Sequence, residues 1–154
     1  MKNFYLILFL IFGIFSVRSE SNVYIFYPKS YNMTYDISVN GTKLEDTDPP
    51  IKKTVNFDSH VTPFNYMERA YKPIIITEDG KYVIVVKINY TNSVNGKTVS
   101  YWTEQPVVME DGEEVFLDIV YKGMSDFKIK EIDSKKGNKK LMDKKLYRLP
   151  ESTI

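Results

Sequence analysis

Cysteine is absent from the 154 residues, and histidine and tryptophan occur once each. Such a chain cannot build a disulfide frame, an iron–sulfur cluster, a thiol nucleophile or a cysteine-based zinc site. With His60 alone, metal motifs that need two histidines are excluded as well. Neither charge dominates: 21 Lys and Arg stand against 20 Asp and Glu, a formal net of +1. Phosphate-cradling loops are missing, with no G-x-G-x-x-G and no Walker lysine. What is present, 43 % hydrophobic and 27 % charged, is the composition of one folded domain rather than a disordered chain. No cofactor is implied.

Only one long apolar run occurs. Phe4 to Val17 spans 14 residues, short of the roughly 18 that a membrane span needs. Lys2 precedes it, and Val17 and Ser19 occupy the −3 and −1 positions of a cut before Glu20. Residues 1–19 therefore read as a secretory signal peptide rather than a retained anchor, and the chain is expected to be secreted or periplasmic. Removing Lys2 and Arg18 with the leader leaves 19 basic against 20 acidic residues. The lipid-bearing cysteine of a bacterial lipoprotein is absent. The expected partner is a protein or another envelope component; nucleic acid is not, and any membrane contact after cleavage is peripheral.

Turn chemistry is the strongest local signal. Asn40-Gly41, Asp79-Gly80, Asn95-Gly96 and Asp111-Gly112 favour positive φ and tight β-turns, and each is flanked by β-branched or aromatic residues. The period agrees: Tyr82, Ile84, Val86, Ile88 and Tyr90 form one apolar face of a strand whose other face turns polar. Val23-Ile25-Tyr27, Tyr35-Ile37-Val39, Val115-Leu117-Ile119-Tyr121 and Phe127-Ile129 alternate in the same way. Ile132 falls out of phase, which predicts a bulge or strand end near Glu131. Further strands are expected at 52–57, 73–77, 98–103 and 107–109, with the prolines between them or at their edges. Seven to nine strands predict an all-β, antiparallel sandwich of immunoglobulin-like type over residues 20–132, with an open barrel as the second architecture. Glu78-Asp79-Gly80-Lys81-Tyr82-Val83 is echoed by Glu110-Asp111-Gly112-Glu113-Glu114-Val115. The pair reads as one turn solution used twice, an acidic turn launching a central strand.

Two regions depart from this pattern. Residues 58–71 hold His60, Phe64, Tyr66 and Tyr71 with no clean period, and predict a crossover loop or a helical turn around 65–70. The segment 133–154 is basic. Lys135, Lys136, Lys139, Lys140, Lys144, Lys145 and Arg148 face only Asp133 and Asp143, a net of +5 up to Pro150. Met142, Leu146 and Leu149 at i, i+4 and i+7 predict a short amphipathic helix; a hairpin through Gly137-Asn138 is the alternative.

Few residues suggest chemistry. His60 lacks a nucleophile elbow, and Asp58 and Ser59 are too near in sequence to surround its ring as a triad. Glu104 beside Tyr101 and Trp102 is the one carboxylate–aromatic grouping suited to a sugar, to be weighed against plain cross-strand packing of both rings. Glu45, Asp46 and Asp48 lack the glycine and terminal glutamate of a calcium loop and read as a solvated turn. The basic segment reads first as a solvated face and second as a contact for an anionic envelope surface. Asn32, Asn40 and Asn89 stand in N-x-[ST] sequons, which matter only in a eukaryotic host.

Val23-Tyr24-Ile25-Phe26-Tyr27-Pro28, followed by Tyr35-Asp36-Ile37-Ser38-Val39-Asn40-Gly41, resembles a family of small bacterial envelope proteins. That family opens with V-Y-[IV]-[YF]-R-P and S-Y-D-V-x-V-[ND]-G. Residues 111–117 resemble its later strand and 130–141 its closing stretch. Tyr27 stands where the family has arginine. The resemblance implies a β-sandwich akin to PEGA-type and immunoglobulin-like modules and an envelope location; it implies no catalytic residue. The chain is thus expected to be a non-enzymatic binding or envelope-structural module. Its candidate contacts are His60, Phe64, Tyr66, Tyr71, Tyr101 and Trp102, with sugar binding or hydrolysis through Tyr101, Trp102 and Glu104 as the alternative. A further alternative is an adaptor to an anionic surface through the basic segment.

Overall fold

Side chains that alternate with period two must bury one face, and here two sheets bury theirs against each other. The computed structural model describes residues 19–29, 32–44, 68–92, 95–121 and 127–154. The elements are β1 (Ser21–Lys29), β2 (Met33–Val39), β3 (Thr42–Lys43), β4 (Glu68–Ile76), β5 (Gly80–Thr91), β6 (Thr98–Met109), β7 (Glu114–Tyr121) and β8 (Phe127–Ile132). Helix α1 (Ser134–Leu141), β9 (Leu146–Arg148) and β10 (Ser152–Thr153) follow. One sheet, here sheet A, runs β10-β4-β1-β7-β8, with β9 also on β4; the other, sheet B, runs β3-β2-β5-β6.

The core between the sheets is made by the predicted apolar faces: Val23, Ile25 and Tyr27, then Tyr35, Ile37 and Val39, then Ile84, Val86 and Ile88, then Val115, Leu117 and Ile119. Tyr35 keeps its hydroxyl satisfied inside by donating to the Pro28 carbonyl. The fold is the expected all-β sandwich, with ten strands among the described residues rather than seven to nine, three of them only two or three residues long. It is not purely antiparallel. β1 lies parallel to β7, and β9 and β10 lie parallel to β4.

The four glycine turns divide into two kinds. Asn40-Gly41, with φ 48° and 82°, closes the β2–β3 hairpin, and Gly96 (φ 68°) serves β5–β6. The two acidic turns do something else: Glu78–Gly80 carries the chain from sheet A to sheet B, and Glu110–Gly112 carries it back. Each launches a strand with neighbours on both sides, β5 and β7.

Proline departs from expectation, because Pro28, Pro73 and Pro106 lie within strands. Each sits where one side of the strand has no continuous partner. Pro28 lies beyond the end of the β1–β7 pairing, and Pro106 lies in edge strand β6, which makes 98–109 one strand rather than two. Pro73 lies opposite the gap between β9 and β10. β4 also begins earlier than predicted, at Glu68, so the helical turn around 65–70 does not extend over 68–70. Lys72 faces the core opposite Ile25 and is 3 % exposed, and this interrupts the apolar period by which the strand would be read.

The basic segment belongs to the sandwich. Its helix starts before the predicted stripe, because the Asp133 side chain accepts the Lys136 N–H at 2.9 Å and caps it. Gly137 of α1 lies against Phe116 on the outside of sheet A. Residues 146–154 are extended along β4, not helical. Leu149 N–H donates to Tyr71 O and Ile154 N–H to Ile75 O, both at 2.9 Å, and Leu149 is buried. Of the bulge or strand end expected near Glu131, the structure has the strand end: β8 stops at Ile132, which pairs with Phe116 on that outer face.

Candidate functional site

The outer face of sheet B is open to solvent, and register shows which side chains share it. Across β6, β5 and β2 the rows run Trp102–Lys87–Asp36, Glu104–Val85–Ser38 and Ser100–Asn89–Thr34, and Pro106 lies beside Val83. Trp102 is 67 % exposed, and the Lys87 ammonium stands 4.9 Å from its ring centroid.

One end of this face is a closed polar ladder. Ser100 Oγ donates to Asn89 Oδ1 at 2.7 Å, and Asn89 Nδ2 donates to Thr34 Oγ1 and Asp36 Oδ2, each at 3.3 Å. Asp36 also pairs with Lys43 at 2.7 Å. The Lys43 hydrogen bond holds the Asp36 carboxyl below its ordinary range, helped by Asn89, Lys43's charge and Lys87, with desolvation opposing. The other end is apolar. Val83 and Val108 are exposed there, with Pro106 opposite Val83 and Lys81 opposite Val108. Glu104 and Val85 stand between these valines and the Trp102–Lys87 pair, so the face exposes an indole at its middle and a small valine–proline patch at its end.

The structure separates the predicted pair of rings. Adjacent strand residues point to opposite faces, so Tyr101 packs inward 5.6 Å from Phe127 while Trp102 points out. The cross-strand packing reading therefore describes Tyr101, and Trp102 is not a core residue. Glu104 does share Trp102's face. Asp36 on the same face is engaged by Lys43 and Asn89, so among the described residues no pair of free carboxylates flanks Trp102.

Of the remaining candidates, His60, Phe64 and Tyr66 lie outside the described residues, as do Glu45, Asp46, Asp48 and residues 1–18. Tyr71 is on the other layer, in a cluster with Phe26 (5.9 Å) and Tyr24 (6.5 Å) outside sheet A. The basic residues divide. Lys136 pairs with Asp133 at 2.9 Å, Lys140 with Asp118 at 2.5 Å, and Arg148 with Glu151 at 2.7 Å, whereas Lys135, Lys139, Lys144 and Lys145 are exposed. A shallow hollow of about 20 Å³ lies where α1 meets β9, but its Lys140 and Asp118 neutralise each other. Among the described residues, no three His, Asp or Glu side chains converge to hold a metal. The sequons differ in access: Asn32 is buried, the Asn89 amide is engaged in the ladder, and Asn40 is exposed in its turn.

Sequence reasoning passed over Lys87, Val83 and Val108. The signal was the second face of β5, where Val83, Val85, Lys87 and Asn89 pass from apolar to polar. No family model matches the chain, and no curated protein or solved structure is similar to it.

Proposed function

We propose that the chain is an exported, non-enzymatic binding module that recognises a protein partner through the outer face of sheet B. One observation carries this reading: the single tryptophan, 67 % exposed, stands opposite Lys87 on the same sheet face that exposes Val83 and Val108. An exposed indole is costly to leave in water. Covering it contributes about 3 kcal/mol at the usual value per unit area. Tryptophan with a charged rim is also the residue type on which interfaces concentrate their energy. The apolar half favours a protein over a sugar, because the amide and hydroxyl groups beside the indole are already satisfied by one another. Residues 1–19 support export through their composition.

The test is a photo-crosslinking residue placed at 102, at 108 and, as control, at 98, in cells that make the full chain. The expected result is one discrete protein adduct from 102 and 108, absent from 98 and abolished by Val83→Asp. A polysaccharide smear from 102, or no adduct from either position, overturns the protein reading. Amino-terminal sequencing of the product that begins at Glu20 tests export.

A further inference from the structure

The layer outside sheet A carries a second exposed surface on the opposite side of the molecule from Trp102. Gly137 turns one side of α1 to Phe116. At about 100° per residue, Lys135, Lys139 and Met142 then share the side that points away from the sheet. Met142, the C-cap, is 80 % exposed. Lys144 and Lys145 lie in the turn that follows.

The charge on this ridge is not neutralised. Lys136, Lys140 and Arg148 are held in ion pairs, but Lys135, Lys139, Lys144 and Lys145 form none among the described residues. Asp143 is the one acidic residue between 134 and 148, and its carboxylate accepts the Lys145 backbone N–H at 3.0 Å. The result is an exposed thioether at the end of α1 accompanied by four ammonium groups with no ion-pair partner among the described residues.

That combination matches one kind of surface, an anionic layer with an apolar layer directly behind it. We propose that the ridge from Lys135 to Lys145 docks the protein on an anionic phospholipid bilayer. The four lysines meet the headgroup phosphates, and Met142 enters the headgroup–acyl boundary. Nucleic acid offers phosphates but no apolar layer for an exposed thioether. No described helix is long and apolar enough to cross a membrane, so the contact is peripheral.

The test is flotation of the full chain with phosphatidylcholine vesicles, with and without a minority of phosphatidylglycerol. The difference between the two vesicle types cancels any contribution of the apolar residues 4–15. Excess binding to the anionic vesicles is expected, falling steeply with salt. Each Lys→Gln change at 135, 139, 144 or 145 lowers it about five-fold, and the four together more than a hundred-fold, on the usual strength of a lysine at such a surface. Met142→Ser lowers binding several-fold at fixed charge, whereas Lys81→Gln and Lys97→Gln on the far layer leave it unchanged. Equal binding to both vesicle types overturns the proposal, as does anionic binding that survives the quadruple change. Retention on DNA or heparin without binding to vesicles overturns it too. Circular dichroism of each variant reports whether the fold is kept.

Discussion

Gly137 and the ring of Phe116 are so close that a β-carbon at 137 would overlap the ring atoms. A glycine inside a helix costs about 1 kcal/mol relative to alanine, so on propensity alone Gly137→Ala would stabilise α1. Overpacking a filled contact costs about 1–3 kcal/mol and wins here. Gly137→Ala is expected to lower stability by about 1 kcal/mol in urea unfolding, and Phe116→Leu in the same chain to recover part of the loss. A stabilised single variant would mean that the helix does not rest on this ring.

The same layer is held by Lys140, which pairs with Asp118 at 2.5 Å and lies 5.2 Å from the Phe26 ring centroid. Both charged side chains are mostly buried, so removing one strands the other. Lys140→Ala is expected to cost about 1–3 kcal/mol. Replacing the pair together, Lys140→Met with Asp118→Leu, should cost less than either single change. A double-mutant cycle by chemical denaturation gives the coupling, and additive losses would refute it.

Asp36 offers a titration test. Its carboxyl lies below the ordinary value because the charged form accepts hydrogen bonds from Lys43 and Asn89. A depressed folded-state pKa contributes stability that is complete above the unfolded value and is lost as pH falls through the folded one. Acid should therefore weaken the β2–β3 corner only below about pH 4, and the loss should stay within about 1 kcal/mol because the pair is exposed. Carbon-detected NMR of the Asp36 carboxyl is expected to show a return toward the ordinary value in Lys43→Gln. No movement would remove Lys43 as the cause.

Trp102 is the single indole, so its fluorescence reports one place. Emission typical of solvated indole and ready quenching by acrylamide are expected, and Trp102→Ala should change stability by less than about 1 kcal/mol. A blue-shifted, shielded signal would place the ring in an interior and dissolve the patch with it.

The two sheets were legible because period two is a physical requirement of a half-buried strand. Tyr82 to Tyr90 and Val115 to Ile119 could hardly bury any other face. Less legible was every feature decided by distant parts of the chain. Gly137 reads as a turn residue until Phe116 is known to press on it, and Leu149 reads as helical until β4 supplies an open edge. Lys72 interrupts a strand pattern because its inner position has no counterpart in local sequence. Trp102 shows the same limit at the candidate surface. Alternation says that it and Tyr101 face opposite ways, but only the register against Lys87 and Ile88 says which of the two is outside.

Strand β1 sits in the middle of sheet A, yet neither of its partners is near in the chain: Val23 meets Ile74 on one side and Val115 on the other. Closing such large loops costs entropy before any contact is gained, which places folding in the slow range, about milliseconds to seconds. Until β7 has been synthesised and folded back, the centre of this sheet is itself a bare edge. Deleting residues 114–121 should therefore expose Val23 and its neighbours to edge-to-edge pairing between chains.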